Sequence, residues 1–140
     1  MTTGIHNLDH AVHKAREWIQ DVQQELHYEE PAQAYRATRA VLQTVRDRLP
    51  VNEASDFGAQ LPMVIAGVYY SGWHPADKPL KLKTLDEFYD HVHQRMDDEG
   101  LDPRHATRGV LKAIGHNMTP GELENVRNNL PDSLKGVIPE

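Results

Sequence analysis

Two stretches of this chain are versions of one segment, and nothing else in the sequence constrains the fold as strongly. Laying residues 37–69 over 106–138, at a constant offset of 69, matches ten of 33 positions. The identities are Ala37/Ala106, Thr38/Thr107, Arg39/Arg108, Val41/Val110, Leu42/Leu111, Glu53/Glu122, Leu61/Leu130, Pro62/Pro131, Gly67/Gly136 and Val68/Val137. Conservative pairs such as Val45/Ile114 and Phe57/Val126 keep the apolar register between them. With one residue of slippage the match runs upstream through Trp18/Phe88, Val22/Val92 and Leu26/Met96. A unit of that length with its apolar positions in step reads as a folding module that was doubled.

The period of the apolar residues is helical. Ile5, Leu8, Val12, Ala15, Ile19, Val22 and Leu26 recur every three or four positions and trace one face of a long first helix. After Pro31, a residue suited to a first helical turn, Ala34, Ala37, Val41, Val45 and Leu49 trace a second stripe that stops at Pro50. Asn52 is placed to cap a third helix through Ala54, Phe57 and Leu61, and Pro62 breaks that helix and starts another turn. In the second copy Thr84 with Glu87, and Thr119 with Glu122, read as capping boxes, and Asp102-Pro103 as a helix start. The apolar run from Met63 to Tyr70 suits a buried strand or a buried helix equally.

The expected architecture is all-α. Two tandem, pseudo-twofold-related helical repeats of about three to four helices each pack as one compact bundle. Repeat 1 spans about 15–69, the connector 70–83 and repeat 2 about 84–138, within a single domain of residues 1–140. A unit of about 55 residues buries too little apolar surface to be comfortable alone, so the copies are expected to share a core.

Composition narrows the classes of function. There is no cysteine, which removes disulfides, thiolate metal sites and a cysteine nucleophile, and suits a cytoplasmic location. Nowhere do ten apolar residues run together, which argues against a membrane span. The first copy carries five Lys and Arg against eight Asp and Glu, the second six against ten. Neither offers the basic face that neutralises phosphates, so a nucleic-acid partner is not expected. No phosphate-cradling glycine loop, nucleophile elbow or dinucleotide fingerprint appears, which leaves an enzymatic reading without a named residue and without a cofactor.

Four spaced motifs carry a family resemblance: Ala34-Tyr35-Arg36-Ala37-Thr38-Arg39-Ala40-Val41-Leu42, Arg46-Asp47-Arg48-Leu49-Pro50, Ala59-Gln60-Leu61-Pro62 and Gly67-Val68-Tyr69-Tyr70-Ser71-Gly72-Trp73. Together with Glu17-Trp18 and Glu87-Phe88, they resemble the bacterial family known as domain of unknown function 2267. The resemblance implies a small, all-helical bacterial protein with a duplicated unit and no established activity, so no catalytic residue is carried over.

Four groups of residues are candidates for function. The second copy has Gly115-His116-Asn117 where the first has Arg46, Asp47 and Arg48, which reads either as a charged helix end or as the rim of an anion-binding patch. Beside it, the aromatics Tyr69, Tyr70 and Trp73 suit either a clamp on the connector or an interface anchor. The amide and arginine positions Arg39, Gln60, Arg108 and Asn129, paired by the offset, are candidates for a cleft between the repeats. Histidines form the fourth group. His6, His10 and His13 share a stripe of the first helix, and a metal site there needs further ligands such as His91 or His93. The favoured expectation is a non-catalytic interaction or scaffold module binding an unidentified protein or itself as a homodimer; the alternative is a metal-binding protein built on those histidines.

Overall fold

A computed structural model describes residues 2–139. Seven α-helices account for most of them: α1 (His6–Leu26), α2 (Pro31–Arg48), α3 (Val51–Gly58), α4 (Met63–Tyr70), α5 (Leu85–Met96), α6 (Pro103–His116) and α7 (Glu122–Asn128). Short 3-10 helices lie at Pro75–Asp77 in the connector and at Asp132–Val137 near the C-terminal end. No strand occurs among the described residues.

Local chemistry sets most of the boundaries. α1 ends at His27, which adopts a left-handed φ of 57°, and the His27 and Tyr28 amides turn back to the carbonyls of Gln24 and Gln23. At the start of α2 the Gln33 side chain accepts a hydrogen bond from the Glu30 amide at 3.1 Å, with Pro31 filling the first turn. The Thr84 hydroxyl and Glu87 carboxylate cap α5 reciprocally, and Asp102 accepts the Arg104 amide at the start of α6. Two expected caps lie elsewhere. Pro50 precedes α3, which places Asn52 inside the helix, and Gly121, at φ 98°, opens α7 in place of Thr119. The Met63–Tyr70 run is helical.

The two central helices are α2 and α6, and each is covered from the other side of the connector. α1 packs most extensively along α6, and α2 packs along α5 as well as α1 and α6. Val22, Leu26, Val41, Leu42, Val45, Leu49, Phe88, Val92, Met96, Val110, Leu111 and Ile114 fill one continuous apolar core, each 3% exposed or less. The close approach of α1 to α6 passes over Gly109, where a Cβ would run into the Leu26 side chain.

Helix lengths run long, long, short, short on both sides of the connector, and Leu61-Pro62 and Leu130-Pro131 fall at the last break in each. Two differences stand out. The last element is an α-helix on the first side and a 3-10 helix on the second. α1 has 21 residues where α5 has 12, about 31 Å against about 18 Å of helix. The extra length is at the N-terminal end of α1.

Candidate functional site

The Arg46-Asp47-Arg48 triplet holds the connector against α2. Arg46 and Asp47 are buried, at 2% and 1% exposure. Arg46 Nη1 donates to the carbonyls of Tyr69 at 2.7 Å and Ser71 at 2.9 Å, while its Nε and Nη2 reach the two oxygens of the Asp47 carboxylate at 2.7 and 3.0 Å. Arg95 from α5 donates to the same carboxylate. The Asp47 carbonyl accepts the Leu80 amide at 2.7 Å, and Arg48 Nε donates to the Leu82 carbonyl at 2.8 Å. Both ends of the 70–83 connector are therefore tied to the last turn of α2. Burial alone would push the Asp47 carboxyl up, but hydrogen bonds from Arg46 and then Arg95 outweigh it and hold the group below the usual carboxylate range. Arg46 and Asp47 are thus turned inward as an internal clamp on the connector, with the Arg46 guanidinium engaged by two carbonyls and a carboxylate and not presented at a rim.

The aromatic cluster lies beside this clamp and packs α4 on α3. Tyr69 is fully buried, donating to the Ala54 carbonyl at 2.7 Å, and Tyr70 donates to the Ser55 carbonyl at 2.7 Å. Trp73 is half-buried against Tyr70, with ring centroids 5.7 Å apart. The rings fit only because residue 58 is glycine, since a Cβ there would meet the Tyr70 hydroxyl and the Tyr69 ring. Burial pushes the Tyr69 phenol far above its ordinary range. These side chains do not present an exposed aromatic face.

The four residues expected to line a cleft are dispersed. Arg39 donates to the Arg95 carbonyl at 3.1 Å, Gln60 is exposed at the end of α3, and Asn129 caps the Asn125 carbonyl at 2.8 Å. Arg108 lines a separate recess with Lys112, Arg127 and Lys135, where Glu25, Glu124 and Asp132 answer the last three cations. The space between the helix pairs is filled by core side chains.

The histidines also stay apart. His6 and His10 are exposed with their rings stacked 6.3 Å apart, and His13 Nε2 lies 3.0 Å from the Glu17 carboxylate. His91 and His93 stand on α5, which packs on α2. His91 Nε2 is buried without a hydrogen-bond partner, and burial, followed by the charge of Arg95, pulls its pKa down. Among the described residues no three His, Asp or Glu side chains converge to hold a metal ion, so the histidine-based metal reading lacks a coordination geometry.

The feature that sequence reasoning missed is an apolar groove between α1, α2 and α4. Val12, Ile19, Tyr35, Val64, Ile65 and Val68 line it, with Arg16, Gln20 and Gln23 along one rim, and it encloses about 640 Å³. Three of the six exposed large hydrophobic side chains among the described residues line it. Val12 is 46% exposed, Tyr35 42% and Val64 37% in the groove, Met63 is 62% exposed beside Val64, and Leu8 and Ile5 continue the stripe of α1 at 42% and 55%. The signal was present in the sequence, because the stripe of the first helix runs on past the residues that have core partners. Only Ala15, Trp18, Val22 and Leu26 of α1 are buried.

Fold and site together define a small all-helical protein with a filled core and one concave apolar face bordered by an overhanging helix. No helix of the described residues is long and apolar enough to cross a membrane. The chain belongs to the family described as uncharacterized conserved protein, domain of unknown function 2267, whose model matches residues 15–137. A comparison with curated proteins finds no match. The matched region begins at Ala15, so Ile5, Leu8 and Val12 precede it.

Proposed function

We propose that this protein is a non-catalytic interaction module that binds a protein partner through the groove between α1, α2 and α4. One observation carries the reading: Val12, Tyr35 and Val64, all exposed, line that concavity, and the exposed Leu8 and Ile5 extend the apolar stripe of Val12 toward the N-terminus. Contiguous apolar surface of this kind marks sites that another macromolecule covers. The face is flanked by uncharged amides and one arginine, a composition that resembles the apolar core and polar rim of protein interfaces. Tandem duplication of the helical unit and a cytoplasmic location both accord with this reading. The interaction face thus moves away from the Tyr69 to Trp73 region, where the two tyrosine hydroxyls are bonded to carbonyls of α3 and Trp73 packs on Tyr70.

Site-specific photo-crosslinking tests the assignment. A benzoylphenylalanine in place of Val64 is expected to yield a covalent protein adduct, to a second copy or to another protein, in cells and in purified solution. The same group in place of the exposed Ser133, on the closing 3-10 helix, is the control and should yield none. Equal labelling from both positions, or none from Val64, would overturn the reading.

A further inference from the structure

The groove and the overhang of α1 are complementary to each other, and we propose that two copies of this chain pair through them, with the α1 helices antiparallel about a twofold axis near Val12. This rests on the groove being an interaction face and names its occupant. On α1 the groove is lined from Val12 to Gln23, whereas the exposed stripe Ile5, Leu8 and Val12 occupies the turns just before it. Antiparallel pairing that sets Val12 opposite Val12 brings Ile5 of one copy against Ile19 of the other. The N-terminal stripe of each copy then lies in the groove of its mate, and the two requirements, an apolar ridge without cover and a hollow without an occupant, are met by one symmetric contact.

Charge supports the same register. Asp9 and Arg16 lie seven residues apart on the same flank of the stripe, about two turns of helix. In an antiparallel pair related by a twofold axis, residues of one flank face the same flank of the mate. Positions whose numbers sum to 24 or 25 then stand opposite one another, so Asp9 of each copy meets Arg16 of the other, twice in the dimer. Arg16 lines the groove rim, and Asp9 is anchored by Thr3, whose amide and hydroxyl donate to its Oδ1 at 2.7 and 2.8 Å.

Sedimentation equilibrium on the purified chain tests the pairing. The wild type is expected to be a reversible dimer. Leu8→Glu, a change at an exposed position outside the core, is expected to give a monomer with an unchanged far-ultraviolet circular dichroism spectrum. Asp9→Arg and Arg16→Asp are each expected to raise the dimer dissociation constant by about tenfold or more, and the double variant to recover most of that loss. A wild type that stays monomeric at millimolar concentration, a dimer indifferent to Leu8→Glu, or a double variant no tighter than the singles would overturn the pairing. A monomeric wild type that nonetheless crosslinks another protein from position 64 would end the self-pairing and leave the interaction module standing; a monomer with no adduct would end both.

Discussion

The carboxylate of Asp47 on α2 is bonded by the guanidinium of Arg95 on α5, and this pair ties the two sides of the connector together inside the protein. Arg46 completes the arrangement by binding the same carboxylate and the two carbonyls through which the chain leaves α4. The charges compensate each other in a region from which water is largely excluded, so removing one member leaves the others without a counter-charge.

Asp47→Asn is accordingly expected to destabilise the protein by about 3 kcal/mol, the range found when one partner of a buried ion pair is lost. Chemical denaturation at neutral pH measures it. The Asp47 pKa is depressed in the folded state, so its contribution is present above the ordinary carboxylate pKa of about 4 and is lost as pH falls through the depressed value. The difference between wild type and variant should therefore shrink in strong acid. A variant as stable as wild type at pH 7 would refute the clamp.

His91 gives a second, milder acid response. Its pKa is lowered on folding by burial first and Arg95 second, with Lys78 acting in the same direction and Asp47 opposing. The unfolded chain then binds the proton more readily, so stability is expected to fall as pH drops below about 6.5 and to level off under the lowered value. His91→Gln should flatten the stability profile between pH 7 and pH 5, and an unchanged slope would show that other groups carry it.

Two glycines in helices predict opposite outcomes. Gly109→Ala forces a Cβ into Leu26 where α1 crosses α6, and is expected to lower stability by about 1–3 kcal/mol. Gly67→Ala, in α4 with open space around the added carbon, is expected to raise it by about 0.5–1 kcal/mol through helix propensity. Thermal unfolding of both variants checks the pair, and a like sign for the two would contradict the packing described.

Much of the fold was legible because helix periodicity is local. The stripe of α2, the proline breaks at Pro50, Pro62 and Pro131, and the Thr84 and Asp102 caps all follow from neighbours in sequence. The site was less legible, for reasons that lie in long-range contacts. A side chain such as Arg46 reads as a helix-end cation until the carbonyls of Tyr69 and Ser71, more than twenty residues away, are brought to it. Periodicity likewise treats Leu8 and Leu26 alike, since both lie on one helix face, although only Leu26 meets α6. Which part of an amphipathic helix is covered depends on the length of its neighbours. Here α5 offers no hint of the overhang, because its 12 residues have no counterpart to the first turns of α1.

The most direct test of the interaction face is a dilution series followed by amide NMR on the purified chain. The account predicts concentration-dependent shifts for residues 5–20, Tyr35 and 63–68, with residues 70–83 and 122–137 unchanged. Shifts confined to the connector around Trp73 would contradict the interaction face, and spectra identical from micromolar to millimolar concentration would contradict pairing of two copies through it.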